Sequence, residues 1–211
     1  MPASRLRERK KQATRVALRE AALRLALDRG LDNVRVDDIA EAAGVSPRTY
    51  NNYFSSREQA IVAAVSAERE ARVAAAVAAQ PASLPLADAV VEAIVEQYTN
   101  PGSHDPKALL LITTHPPLRE AFLDATTEIA GPLTAVIGDR INDPDKSIAP
   151  VLSASVAAAV RIAIERWVRP AGVPPTASPL VVPSGSLAEL LRASLAPIAP
   201  ALNAAEQPPQ R

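Results

Sequence analysis

Val36-Asp37-Asp38-Ile39-Ala40-Glu41-Ala42-Ala43-Gly44-Val45-Ser46-Pro47-Arg48-Thr49-Tyr50-Asn51-Asn52-Tyr53-Phe54 places two short helical stretches on either side of a glycine. Asp37 and Asp38 complement the positive end of a helix dipole, so a helix begins near Asp37, and Gly44 supplies the positive φ at which it ends. A second helix starts almost at once. Ser46 is a good N-cap, and Pro47 takes the first helical position, where a missing N–H costs nothing. Ala40 is small enough for the two helices to cross closely, and Ile39, Val45 and Phe54 close a small core beneath them. Two helices joined in this way form a helix-turn-helix, and its second helix is left to face a DNA groove.

Upstream, Val16, Ala17, Ala21, Leu23, Leu25 and Leu27 fall broadly on one side of a helix that Gly30 stops. Downstream, Ser55 or Ser56 caps a long helix that runs to about Ala79. Beyond Pro81 the prolines come often but leave windows at 86 to 100, 107 to 115, 118 to 131, 133 to 143, 151 to 169 and 184 to 196. These are rich in Ala, Leu, Arg and Glu, and they predict helices separated by proline breaks. Gly131-Pro132 should kink or split the helix that contains it. No alternating strand pattern is present, so the fold class is all-α. A three-helix helix-turn-helix domain is joined by a long helix to a C-terminal helical domain. The expected divisions are a basic arm (1–12), the helix-turn-helix domain (13–60), a helical domain (61–202) and a flexible tail (203–211).

Residues 13 to 63 resemble the N-terminal domain of the TetR family of transcriptional regulators. The resemblance rests on Asp28-Arg29-Gly30, Val36 to Ala40, Ala43-Gly44-Val45-Ser46, Thr49, Tyr53-Phe54 and Ser56-Arg57-Glu58. It implies a cytoplasmic, dimeric, ligand-responsive regulator, most simply a repressor released from a palindromic operator by a small apolar ligand. The alternative is a DNA-binding dimer whose C-terminal domain binds a protein partner instead. By position, the resemblance makes Ser46, Pro47, Arg48, Thr49, Tyr50, Asn51, Asn52, Tyr53 and Arg57 the DNA-binding set.

Within that set, Arg48 suits guanine O6 and N7. Asn51 and Asn52 suit adenine edges or a helix cap, and the Tyr53 hydroxyl suits a phosphate. Arg57 becomes a phosphate clamp at the start of the fourth helix. Tyr50 is read either as core or as a DNA contact. The chain departs from the family's commoner residues at Asn51, where many members have tyrosine, and at Arg57, where lysine is more usual.

In the C-terminal part the family organisation implies a ligand pocket, with Leu110, Leu111, Phe122, Val136 and Trp167 as candidate lining. It also implies a homodimer face on the last two helices. There Val156, Val160, Ile164 and Trp167 leave little polar surface on the penultimate helix, and Leu187, Leu190, Leu191, Leu195 and Ile198 form an apolar stripe.

Composition excludes several alternatives. The 211 residues contain no cysteine, so disulfides, thiolate metal sites and cysteine nucleophiles are ruled out. Asp124, Glu128 and Glu165 have no partner base, so no catalytic site and no enzyme activity is expected. His104 and His115 are read as loop histidines, with no metal and no cofactor expected. Arg161, Glu165 and Arg166 interrupt the most apolar stretch, so no membrane partner is expected. Net charge is zero but unevenly spread: residues 1 to 24 carry +6 and the remainder −6. The basic segment from Arg5 to Lys11 fits an arm that tracks a minor groove or the DNA backbone, or one that stays disordered.

Overall fold

The computed structural model describes residues 2–100, 106–168 and 186–206, and among these every regular element is helical. The order is α1 (Pro2–Arg29), a 3-10 turn (Leu31–Asn33), α2 (Val36–Ala42), α3 (Pro47–Tyr50), α4 (Arg57–Ala79), α5 (Leu86–Thr99), α6 (Pro106–Thr114) and α7 (Pro116–Ala125). A second 3-10 turn (Thr126–Ile129) leads to α8 (Ala130–Ile141), α9 (Ile148–Val168), α10 (Leu187–Leu195), a third turn (Ala196–Ile198) and α11 (Ala199–Glu206). The helices form two compact units. One comprises Met1–Ala67 with His104–Ala125, and the other Glu68–Ser103 with Thr126–Arg211.

The first unit is built on α1. Leu18, Ala21, Ala22, Leu25 and Ala26 are buried, a spacing of three and four residues that makes one continuous apolar stripe. Leu23 and Leu27, expected on that stripe, are only half-buried at its flank. The stripe packs on α2 and on α6. Leu31, Val34, Ile39, Phe54, Ile61 and Val62 complete the core, and each fully buried aliphatic side chain contributes roughly 1.5–3 kcal/mol. Gly30 ends α1 at φ 77°, and its N–H donates to the Ala26 carbonyl at 3.1 Å.

Two sequence expectations differ here. The basic arm expected over residues 1–12 is part of α1, which runs unbroken from Pro2. Arg and Lys are good helix formers, and no glycine or proline stands between Ala3 and Arg29. The helix expected over 118 to 131 instead ends at Ala125, and a 3-10 turn precedes α8. Pro132 then falls in the first turn of α8, where no intrahelical donor is required of it.

In the second unit α9 is central, with ten residues buried, and it packs on α8, α10 and the turn before α8. By length and composition α9 could cross a membrane, but half of its most apolar window is buried inside the protein. Its N-terminus is closed by Asp143, whose Oδ2 accepts from the backbone N–H groups of Ile148 (2.9 Å) and Ala149 (3.0 Å). Those bonds, Ala149 first, hold the carboxyl below its ordinary value. Ser186 caps α10 reciprocally with Glu189.

The N-terminus of α5 is capped from far along the chain. Glu206 accepts the Leu86 N–H at 2.8 Å, and Asn203 accepts the Ala87 N–H at 3.0 Å. Arg140 ties this junction together, donating through Nε to Glu206 at 2.7 Å and through Nη2 to the Leu84 carbonyl. Residues 203–206, expected to begin a tail, are therefore helical and held.

Candidate nucleic-acid interface

The geometry of the helix-turn-helix follows from local chemistry. The Arg35 N–H donates to Asp38 Oδ2 at 2.8 Å, fixing the start of α2. Gly44 turns the chain at φ 69°, a conformation that costs a residue with a Cβ more than it costs glycine. The Ser46 Oγ accepts the Thr49 N–H at 3.2 Å and lies 3.0 Å from the Thr49 hydroxyl, so Ser46 and Thr49 satisfy each other at the start of α3. Regular helix ends at Tyr50. Tighter turns continue to Phe54 through Asn52 N–H to Thr49 O (3.1 Å) and Tyr53 N–H to Tyr50 O (2.8 Å).

This arrangement sorts the expected DNA-binding residues. Ser46, Pro47, Arg48, Asn51 and Asn52 are exposed together on the outer side of α3 and its following turn, while Thr49 and Tyr53 are half-buried beside them. Arg48, Asn51 and Asn52 offer outward donors and acceptors of the kinds that read base edges. Tyr53 offers a hydroxyl at the margin.

Two members of the set are placed differently. Tyr50 is fully buried, and its hydroxyl donates to the Ser56 carbonyl at 2.7 Å. Its ring packs against Phe54 at a centroid distance of 5.9 Å, and burial pushes the phenol well above its ordinary pKa. Tyr50 is core, because an aromatic on the inner side of so short a helix fills the space beneath the crossing.

Arg57 makes inward bonds. Its Nη1 donates to the carbonyl oxygens of Leu31 (3.0 Å) and Val34 (2.7 Å), and its Nε pairs with Glu58 at 2.8 Å. The guanidinium thus fastens the α1–α2 connection to the start of α4 while the side chain stays 30% exposed. Burial alone would raise the Glu58 carboxyl, but hydrogen bonds from Arg57, from its own backbone and from Ser56 leave it below its ordinary value.

Arg15 was not among the expected DNA-facing residues. Its guanidinium carbon lies 5.7 Å from the Phe54 ring centroid, which sets an exposed cation on α1 beside the end of the recognition turn. It stands 39 residues before Phe54, so sequence spacing gives no sign of the contact.

The candidate ligand-lining residues fall in both units. In the first unit Leu110 is 63% exposed, Leu111 half-buried and Phe122 buried. In the second, Val136 lines a cavity of about 460 Å³ with Val77, Gln80, Asp139, Arg140 and Glu206, and Trp167 is half-buried elsewhere. Among the described residues no three His, Asp or Glu side chains are grouped to hold a metal. His115 bonds locally through Nδ1 to the Leu111 carbonyl at 3.0 Å, and His104 lies outside the described residues.

Sequence likeness to known proteins falls on the helix-turn-helix. The family model described as "Bacterial regulatory proteins, tetR family" matches residues 18–64. The HTH-type transcriptional regulator TcmR of Streptomyces glaucescens is 42% identical over 69 residues, which are 33% of this chain and 30% of that protein. The HTH-type transcriptional regulator BetI of Rhizobium meliloti is 45% identical over 51 residues, 24% of this chain and 25% of that protein. The chain thus matches less than a third of either relative's length. Among solved structures, Thermus thermophilus FadR, a TetR family transcriptional repressor in complex with lauroyl-CoA, is 21% identical with a TM-score of 0.48, covering 87% of this chain and 92% of that one. The likeness to the TetR family of bacterial regulatory proteins thus rests on residues 18–64, the stretch that holds the helix-turn-helix.

Proposed function

We propose that this protein is a cytoplasmic, dimeric transcriptional repressor that recognises a near-palindromic operator and is released by a small apolar effector. The observation that carries this reading is the polar outer side of α3: Arg48, Asn51 and Asn52 face outward together while Ile39, Tyr50 and Phe54 are buried beneath them. Such a unit presents base-reading groups on a rigid support.

Dimerisation is supported by α9. Ile148, Val151 and Ile162 are exposed there, and Ala154 and Ala158 lie exposed between them. Small residues between large apolar ones let a second helix approach closely. Two subunits related by a two-fold axis would place their recognition helices roughly 34–36 Å apart, one duplex turn. The effector would enter the helical C-terminal part and favour one subunit arrangement over the other.

Selection of bound sites from random duplexes tests the reading. An enriched inverted repeat with half-sites one helical turn apart, or a multiple of it, is expected. Failure to enrich any sequence, with the protein folded, overturns it.

A further inference from the structure

From Arg5 to Ala13 no residue of α1 is buried, and the first buried side chain is Leu18. This stretch is a helix without packing, and its sequence works against it. The first turn contains no acidic residue, so cations sit at the positive end of the dipole. Arg5 and Arg9, Arg7 and Lys11, and Lys11 and Arg15 are like charges four residues apart, where they repel. Only Glu8 offsets them before Glu20.

Arg7, Lys11 and Arg15 form one ridge along the helix. Successive members lie about 6 Å apart along its axis, so the ridge spans roughly 12 Å. One DNA strand presents three to four phosphates over that length, at about 3.4 Å of axis per phosphate. Arg15 fixes where the ridge begins, because its guanidinium lies over Phe54 at the end of the recognition turn.

We infer that the N-terminal part of α1 is a helical extension of the DNA-binding surface, laid by Arg7 and Lys11 along the phosphate backbone flanking each half-site. The inference rests on the DNA-binding reading above. The duplex phosphates screen the repulsion within the ridge, so the helix is better formed on DNA than off it. The extension adds affinity and footprint without adding base preference.

The test compares three full-length proteins on the duplex selected by the wild type: wild type, Arg7→Gln with Lys11→Gln, and Gln12→Pro. The double variant should lower the slope of log K against log salt by about 0.9 for each phosphate that is no longer neutralised. Its hydroxyl-radical footprint should shorten at the outer ends while the preferred bases stay the same. Gln12→Pro keeps every charge but breaks the helix before the buried stripe, and it should lose the same outer protection.

An unchanged slope and footprint in the double variant overturns the inference while leaving the DNA-binding reading intact. Altered base preference at the flanks also overturns it, since that signals groove reading. Full outer protection by Gln12→Pro overturns it too, because a flexible arm would then suffice. If the wild type selects no duplex, the underlying reading has failed and the inference falls with it. Melting temperatures of both variants within a few degrees of wild type are expected, as no buried residue is changed.

Discussion

The Nη1 of Arg57 lies 2.7 Å from the carbonyl oxygen of Val34, 23 residues earlier in the chain. The same nitrogen donates to Leu31. One guanidinium thus closes the α1–α2 connection onto the first turn of α4 and holds the helix-turn-helix from behind. Arg57→Ala should cost on the order of 1–3 kcal/mol, since two carbonyls lose a charged donor. Urea unfolding measures this. The salt slope of DNA binding, taken where both proteins are folded, should stay unchanged; a slope lower by about one would restore the phosphate-clamp reading.

Tyr50→Phe keeps the buried ring and removes only the bond to the Ser56 carbonyl. A loss of about 1 kcal/mol is expected, with operator preference unaltered. Tyr50→Ala removes the ring as well and should cost roughly 3–5 kcal/mol, as for other large core aromatics. A selective loss at particular base pairs in Tyr50→Phe would contradict the core assignment.

Arg48→Ala should behave in the opposite manner. Arg48 is exposed and has no buried partner to abandon, so stability should change by less than about 0.5 kcal/mol. Affinity should fall by about 1–3 kcal/mol at specific base pairs in each half-site. Binding to single-base-pair variants of the operator separates the two patterns.

Glu58 gives the helix-turn-helix a dependence on pH. Its carboxyl lies below its ordinary value in the folded protein, so its contribution is present above the unfolded value and is lost as pH falls through the folded one. Stability of the wild type should therefore fall more steeply than that of Glu58→Gln as pH drops below roughly 5. Equal slopes of unfolding free energy against pH would show that the Arg57–Glu58 pair contributes nothing.

Ile162 is 52% exposed on α9. Ile162→Arg should leave the fold intact, halve the mass measured by light scattering and weaken operator binding. An unchanged mass would move the dimer face elsewhere.

How much of the molecule is legible in its sequence depends on the range of each interaction. The start of α3 is readable because Ser46 and Pro47 carry their own capping chemistry, and the close crossing at Ala40 needs only side-chain size. The role of Arg57 is not readable. Its acceptors are backbone carbonyls of Leu31 and Val34, and a carbonyl has no signature in the residue that bears it. The same holds for Asn203 and Glu206, which cap α5 from 116 and 120 residues away. Tyr50 lies between these extremes, since an aromatic on a short amphipathic turn has both a core side and a surface side. The basic arm is readable as charge but not as helix, because like charges four residues apart argue against the structure that their helix propensity favours.

The remote capping of α5 also sets an order of events during synthesis. The N–H groups of Leu86 and Ala87 wait for side chains made more than a hundred residues later, whereas the polar and aromatic bonds that hold the helix-turn-helix join residues between Arg15 and Gln59. The DNA-reading helices can therefore assemble while translation continues, and the second unit becomes complete only once Glu206 has left the ribosome. A ribosome stalled before that point would carry a nascent chain with a formed helix-turn-helix and an open second core, exposing an apolar surface that chaperones and proteases can engage.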